Sequence, residues 1–351
     1  MQLTAKRTLV ILTPGFPENE ADSTCVPPQQ IFVKALQEVA PDLQIIVLTF
    51  TYPFVSKTYY WHGIKVMAFG DRKNRRVLRP LIGLRVAREL KKINKEHQII
   101  GMLSFWAGKC TLIGHKFAQK HHLKHYGWLL GQDAKPGNKY LPKTNPQADN
   151  LIAISDFVAD TLERNYGVRP ANIIPVGVDP DLFQTADQRD IDILGAGSLI
   201  PLKQYEVFLD VVTWLLPEFP YLKTAICGDG PERKKLEILI EEKRLQNNVQ
   251  LIGRCSHSDV LRYMERSKVF MHPSNYEGFS TVCLEALYAG NKVVSFIKPM
   301  HFEIENWMIV NDREAMADAI RSILKNSFRA KSVLPYNVYD NAKKMLKLFN
   351  Y

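Results

Sequence analysis

The chain has 351 residues, 46% of them hydrophobic and 23% charged, the balance of a soluble globular protein long enough for two domains. No apolar run approaches membrane-spanning length, and the amino terminus lacks the apolar core of a secretory leader, so a cytoplasmic location is expected. Five cysteines (Cys25, Cys110, Cys227, Cys255, Cys283) without CxxC spacing fit reduced thiols rather than a disulfide frame or zinc site.

In the first half, strand and helix patterns alternate. A buried strand over 8–12 leads into the loop 13–17, then a helix over 27–39 and a strand over 44–49. Further strands are expected over 98–104, 126–130 and 151–154, with helices over 109–121 and 156–166, the last capped by Ser155 or Asp156. Such alternation implies a parallel sheet covered on both faces, with ligand loops at the carboxyl ends of its strands. His115, His121, His122 and His125 fall at irregular spacing on or after a helix and read as surface residues.

The formal net charge of +10 is unevenly placed. Residues 1–188 hold 24 Lys and Arg against 16 Asp and Glu, and the remainder holds 22 against 20. Arg72, Lys73, Arg75, Arg76, Arg79, Arg85, Arg88, Lys91, Lys92 and Lys95 lie in one stretch whose only acidic residue is Glu89. Leu81, Leu84, Val86, Ala87, Leu90 and Ile93 give 80–95 an apolar side. The basic amphipathic helix so formed suits either an anionic membrane surface or the outer layer of a doubly wound domain.

The second half opens with a strand over 191–194 and the loop Gly195-Ala196-Gly197-Ser198-Leu199-Ile200-Pro201-Leu202-Lys203. That loop lacks the third glycine of a dinucleotide fingerprint. A strand, tight turn and proline-started helix follow over 225–233, with a strand and loop over 249–254. Asp179-Pro180-Asp181 and Asp190-Ile191-Asp192 mimic a metal-binding DxD, but the first is a turn and the second opens a strand. No other group of oxygen ligands gathers for a divalent metal.

The densest chemistry lies over 276–290. Ser280 or Thr281 caps a helix that Gly290 ends, so the amides of Gly278, Phe279 and Ser280 sit at a helix start that favours an anion. Glu285 falls among Val282, Leu284, Ala286 and Leu287, where a carboxylate needs donors. Ligand hydroxyls would serve both Glu277 and Glu285. A turn cap for Glu277 and a core arginine for Glu285 are the simpler readings.

This stretch resembles the Glu-x7-Glu signature of retaining glycosyltransferases of GT-B fold, family 4 (glycosyl transferases group 1). Residues 173–183 resemble that family's proline-glycine-valine-aspartate segment, and Gly228-Asp229-Gly230-Pro231-Glu232 its Gly-Asp-Gly-Pro-Glu run. The resemblance implies two Rossmann-like doubly wound α/β domains facing across a cleft. Residues 1–183 would recognise the acceptor, 189–334 would bind the nucleotide sugar, and 335–351 would return as a helix to the first domain.

It further implies a metal-independent glycosyltransferase without a cofactor beyond its UDP- or GDP-type donor. The enzyme would move a hexose-type sugar to a saccharide or lipid-linked acceptor in polysaccharide synthesis, cytoplasmic or peripheral on a membrane, with no nucleic-acid partner. Glu277 would hold the sugar hydroxyls, Glu285 the ribose, and Lys203 the diphosphate. Gly197, Ser198, Gly228, Gly230, Arg254, Gly278, Phe279, Ser280 and Thr281 would line the nucleotide. The family's histidine aligns with Leu130, leaving Asp133 as the nearest polar candidate, and its arginine aligns with Ser198. A sugar-nucleotide epimerase and a non-catalytic membrane scaffold are the rival functions.

Overall fold

The computed structural model describes residues 6–70, 79–184 and 188–351. The chain divides into two compact units, one formed by Met1–Val176 with Val338–Tyr351 and the other by Gly177–Asn337.

In the first unit, β1 (Arg7–Gly15), α1 (Pro27–Val39) and β2 (Gln44–Tyr52) begin the alternation. β3 (Ser56–Trp61) and β4 (Ile64–Phe69) then form an antiparallel hairpin that the alternation alone does not predict. Its two-residue turn, His62-Gly63, has positive φ at both positions, as a right-twisted hairpin needs. α2 (Arg79–Glu96), β5 (Gln98–Phe105), α3 (Lys109–His121), β6 (His125–Leu129), β7 (Leu151–Ala153), α4 (Asp156–Tyr166) and β8 (Asn172–Ile173) follow. Among the described residues the sheet has the order β3-β4-β2-β1-β5-β6-β7-β8, parallel except for the β3–β4 pair.

Val86, Leu90 and Ile93 of α2 bury against Val10, Leu12, Ile46 and Leu48 of the sheet. The helix's first turns do not follow, because Leu81 and Leu84 remain 48% and 66% exposed. The predicted apolar side is therefore split, half packed and half open. Arg72, Lys73, Arg75 and Arg76 lie outside the described residues. His125 corrects the surface expectation: it is buried, its Nε2 lies 2.8 Å from Ser104 Oγ, and burial pushes its pKa down to about 3.

The second unit runs β9 (Ile191–Ala196), α5 (Tyr205–Leu215), β10 (Thr224–Cys227), α6 (Arg233–Glu242), β11 (Val249–Gly253), α7 (His257–Glu265) and β12 (Ser267–His272). It continues with α8 (Thr281–Tyr288), β13 (Lys292–Ser295), β14 (Trp307–Ile309) and α9 (Arg313–Lys325). All described strands are parallel, in the order β11-β10-β9-β12-β13-β14. Strand order reverses between β9 and β12, so the loops leaving those two strands open a crevice at the carboxyl edge. Phe208, Leu209, Val212, Leu236, Met271 and Ile320 fill the core between α5, α6, α9 and the sheet.

The last helix, α10 (Val338–Leu348), belongs to the first unit. Asn341 donates to the Pro175 carbonyl, and Phe349 meets the Tyr126 ring edge-on at 5.1 Å. Among the described residues no helix is long and apolar enough to cross a membrane.

Candidate functional site

The loop leaving β9 turns through a short 3-10 segment, Pro201–Lys203, before α5 begins. The loop leaving β12 passes Pro273 and reaches Glu277. The Asn275 amide donates to the Leu202 carbonyl at 3.2 Å, tying the two loops together across the strand reversal. Lys203 and Glu277 meet there as an ion pair, their side chains 17% and 20% exposed.

Glu277 has further neighbours that its own sequence context does not announce. His272 Nε2 donates to it at 3.2 Å, and Ser274 Oγ at 3.5 Å. Burial works to raise the Glu277 pKa, but the His272 hydrogen bond and the Lys203 charge outweigh it and hold the carboxyl at about 2. Burial, aided by Lys203, holds His272 below the ordinary histidine value despite Glu277. A neutral imidazole with its proton on Nε2 fits this contact. The sequence signal for His272 is slight: a histidine ending a buried strand five residues before the first glutamate.

α8 carries the second carboxylate. Ser280 holds the N-cap position, but its hydroxyl accepts no amide of the first turn. The Cys283 amide already donates to the Ser280 carbonyl at 3.0 Å, and the helix start favours negative charge. Ser280 and Thr281 are nearly buried, and the Phe279 ring packs on Trp307 and Tyr336. The Phe279 side chain is thus core. Glu285 is 4% exposed, with Oε1 2.8 Å from His257 Nε2 and Oε2 buried without a partner among the described residues. The simpler expectation of a core arginine for Glu285 gives way to a histidine at the start of α7.

The glycines shape this edge by bringing loops together. A Cβ on Gly228 would lie 1.9 Å from the Gly197 carbonyl oxygen, and one on Gly230 would lie 2.4 Å from that of Leu199. The contacts are closed by Gly197 N to Cys227 O at 2.9 Å and Leu199 N to Asp229 O at 3.1 Å. Gly228 N also reaches Gly253 O at 2.8 Å, which sets Arg254 on the next loop of the same edge. Ser198 and Arg254 are both exposed.

Asp133 stands in the first unit, in the loop after β6. Its carboxylate accepts the amides of Ala107 at 2.7 Å, Gly131 at 2.9 Å and Leu130 at 3.1 Å. Burial pushes its pKa up, and those amides pull against the shift. Asp133 therefore fastens the loops after β5 and β6 to each other. Among the DxD look-alikes, Asp179 accepts the Asp181 amide in a turn. Asp190 pairs with Arg266, and Asp192 with Lys268.

Residues 182–345 match the family model described as glycosyl transferases group 1, and residues 32–182 match that of Glycosyltransferase Family 4. A phosphatidylinositol N-acetylglucosaminyltransferase component from Arabidopsis thaliana is 27% identical over 215 residues, 59% of this chain and 48% of that protein. A 2-deoxystreptamine N-acetyl-D-glucosaminyltransferase from Niallia circulans is 29% identical over 167 residues, 42% of this chain and 43% of that protein. The chain thus spans about half the length of these curated relatives. Among solved structures, sucrose-phosphate synthase from Thermosynechococcus elongatus superposes with a TM-score of 0.75 at 18% identity, covering 98% of both chains. Anabaena HepE in complex with UDP and glucose gives 0.70 at 14% identity, covering 97% of this chain and 99% of that one. These likenesses show the GT-B fold.

Proposed function

Taking as premise a GT-B glycosyltransferase of group 1 and Family 4, as both halves of the chain match, we propose that this protein transfers a hexose-type sugar from a nucleotide diphosphate sugar. The observation that carries the reading is the Lys203–Glu277 pair at the strand reversal of the second unit, beside the start of α8. A cation and a helix start answer a diphosphate, and two carboxylates answer hydroxyls on either side of it. The curated relatives named for N-acetylglucosaminyl transfer, and the neighbour solved with UDP, make UDP-N-acetylglucosamine the first donor to try.

In the proposed reaction the bond from anomeric carbon to phosphate oxygen breaks, and its electron pair leaves with the diphosphate. Negative charge grows there, and Lys203 with the amides of 278–280 stabilises it more in the transition state than in the bound donor. Glu277 stays ionised and holds sugar hydroxyls. The acceptor oxygen then bonds to the anomeric carbon from the face the diphosphate left, retaining configuration, and its proton passes to the departing diphosphate oxygen on that face. A saccharide or lipid-linked acceptor fits, and the open Leu81 and Leu84 beside Arg85 and Arg88 suit contact with an anionic membrane surface.

A thermal-shift panel of UDP- and GDP-sugars tests donor binding, since a ligand specific for the folded state raises its melting temperature. One donor should raise it and be consumed only with an acceptor, giving a product of retained configuration. Consumption without any acceptor would favour the epimerase instead, and silence across the panel would sink the donor reading.

A further inference from the structure

We propose that His257 is a positioning residue for nucleotide recognition: it takes up one oxygen of Glu285 and leaves the other as a single acceptor for a ribose hydroxyl. The inference rests on the nucleotide-sugar reading and adds to it a residue that carries none of the motif resemblance.

The Glu285 carboxylate lies on a helix face buried among apolar side chains, where each oxygen needs a donor. Among the described residues there is one donor only. Oε1 has His257 Nε2 at 2.8 Å, while Oε2 has no partner. An ionised carboxyl can accept at both oxygens, so the arrangement is half satisfied and ready for a hydroxyl.

His257 is well held for this task. It is the first residue of α7, and the helix start is locked by a reciprocal cap. Ser256 Oγ accepts the Asp259 amide at 3.2 Å, and the Asp259 carboxylate accepts the Ser256 amide at 3.2 Å. The ring is tied to a helix start, and α7 leaves the loop that carries Gly253 and Arg254 at the carboxyl edge. A nucleoside extending from a diphosphate at Lys203 would reach that edge.

The position is also electrostatically unusual. A histidine at a helix amino terminus is disfavoured as a cation, yet two carboxylates face it, Glu285 from α8 and Asp179 from the segment before β9. The histidine is thus placed against the field of its own helix and beside the carboxylate it steadies. Without it, Glu285 would have no donor fixing its orientation, and a swinging carboxylate discriminates poorly between ligands with and without the hydroxyl.

Calorimetry with UDP, GDP and the 2′,3′-dideoxy form of each tests the proposal on the full chain. The wild type should bind one ribonucleotide about tenfold or more tighter than its dideoxy form, as expected for a hydrogen bond to a charged acceptor. In His257→Ala that ratio should fall to about one while dideoxy affinity stays unchanged. His257→Gln, which keeps an N–H donor, should restore most of the ratio. In a Glu285→Ala background, His257→Ala should change nothing further. An undiminished ratio in His257→Ala overturns the proposal. An increased ratio does so too, because the histidine would then be a plug competing for Glu285. Should His257→Ala also lose dideoxy binding, His257→Gln decides: a restored ratio supports the proposal and an absent one ends it. Failure of the wild type to bind either UDP or GDP is a separate result that removes the donor reading itself.

Discussion

Lys203 and Glu277 reach one ion pair from opposite sides of the strand reversal, the first on the loop after β9 and the second on the loop after β12. Their separation in sequence is large, but parallel strands bring both loops to the same edge of the sheet. Against the raising effect of burial, the His272 hydrogen bond and then the Lys203 charge leave Glu277 with a depressed pKa of about 2, against 4.5 for an unperturbed glutamate. A depressed carboxyl stabilises the fold above its unfolded value and loses that contribution as pH falls through the folded one.

If Glu277 holds the sugar hydroxyls as proposed, Glu277→Gln should lower turnover sharply while leaving UDP or GDP binding largely intact, since the sugar rather than the nucleotide loses its acceptor. The stability difference from wild type, measured by urea unfolding, should stay level from about pH 7 to about 5 and change only between about 4.5 and 2. A difference that moves near neutrality would show that Glu277 is not held by Lys203 and His272 as described.

Gly228→Ala is the sharpest test of the loop packing. An added methyl would sit 1.9 Å from the Gly197 oxygen, at a φ of +148° that side chains rarely adopt. Strain and overpacking together should cost about 3 kcal/mol or more. Denaturant unfolding measures the loss, and a variant as stable as wild type would mean the two loops do not interlock.

How much of this is legible in sequence follows from how local each feature is. The helix at 27–39 and the cap at Ser155 rest on neighbouring residues, and both appear as expected. The β3–β4 hairpin escapes such a reading because its exposed edge strand, Ser56–Trp61, carries few buried positions and interrupts an otherwise parallel alternation. Val86, Leu90 and Ile93 point inward as the pattern implies. Leu81 and Leu84 do not, because helical period says which residues share a face but not where the sheet beneath it ends. At the site, Lys203, Glu277 and Glu285 stand out through ordered motifs. His257 and His272 do not, for each acts on a carboxylate brought to it only by folding. Asp133 shows the converse: a polar residue in the right segment whose oxygens are taken by three amides.

The His257–Glu285 pair predicts a pH dependence of stability. Burial works to lower the His257 pKa, but the charge and hydrogen bond of Glu285, with the charge of Asp179, leave it above the ordinary value of 6.5. A raised histidine contributes stability that is fully present below its unfolded pKa and is lost as pH rises through the folded one. Comparing wild type with His257→Gln, which donates but does not titrate, should show the wild-type advantage greatest near pH 6. It should shrink as pH climbs above 6.5. A gap independent of pH over that span would mean the pair is not charged.

Lys203 and Ser198 pose the last question, because the family's arginine position carries a serine here and that serine is exposed. On the proposed reading, Lys203 is then the one cation of this loop set against growing diphosphate charge. Lys203→Ala should lower turnover by about 10²–10³ and weaken donor binding much less, since the charge it meets is largest in the transition state. Ser198→Arg is the reciprocal experiment, because an exposed position on the same loop can hold a guanidinium without disturbing the core. If the site lacks only a second cation, Ser198→Arg should tighten UDP or GDP binding and recover part of the turnover lost in Lys203→Ala. The comparison to make is kcat and KM across wild type, both single variants and the double variant. Should Ser198→Arg give no gain in either background, another side chain already supplies that charge, with exposed Arg254 on the neighbouring loop the first to remove. A Lys203→Ala enzyme of full activity would dismiss the lysine from the diphosphate site altogether.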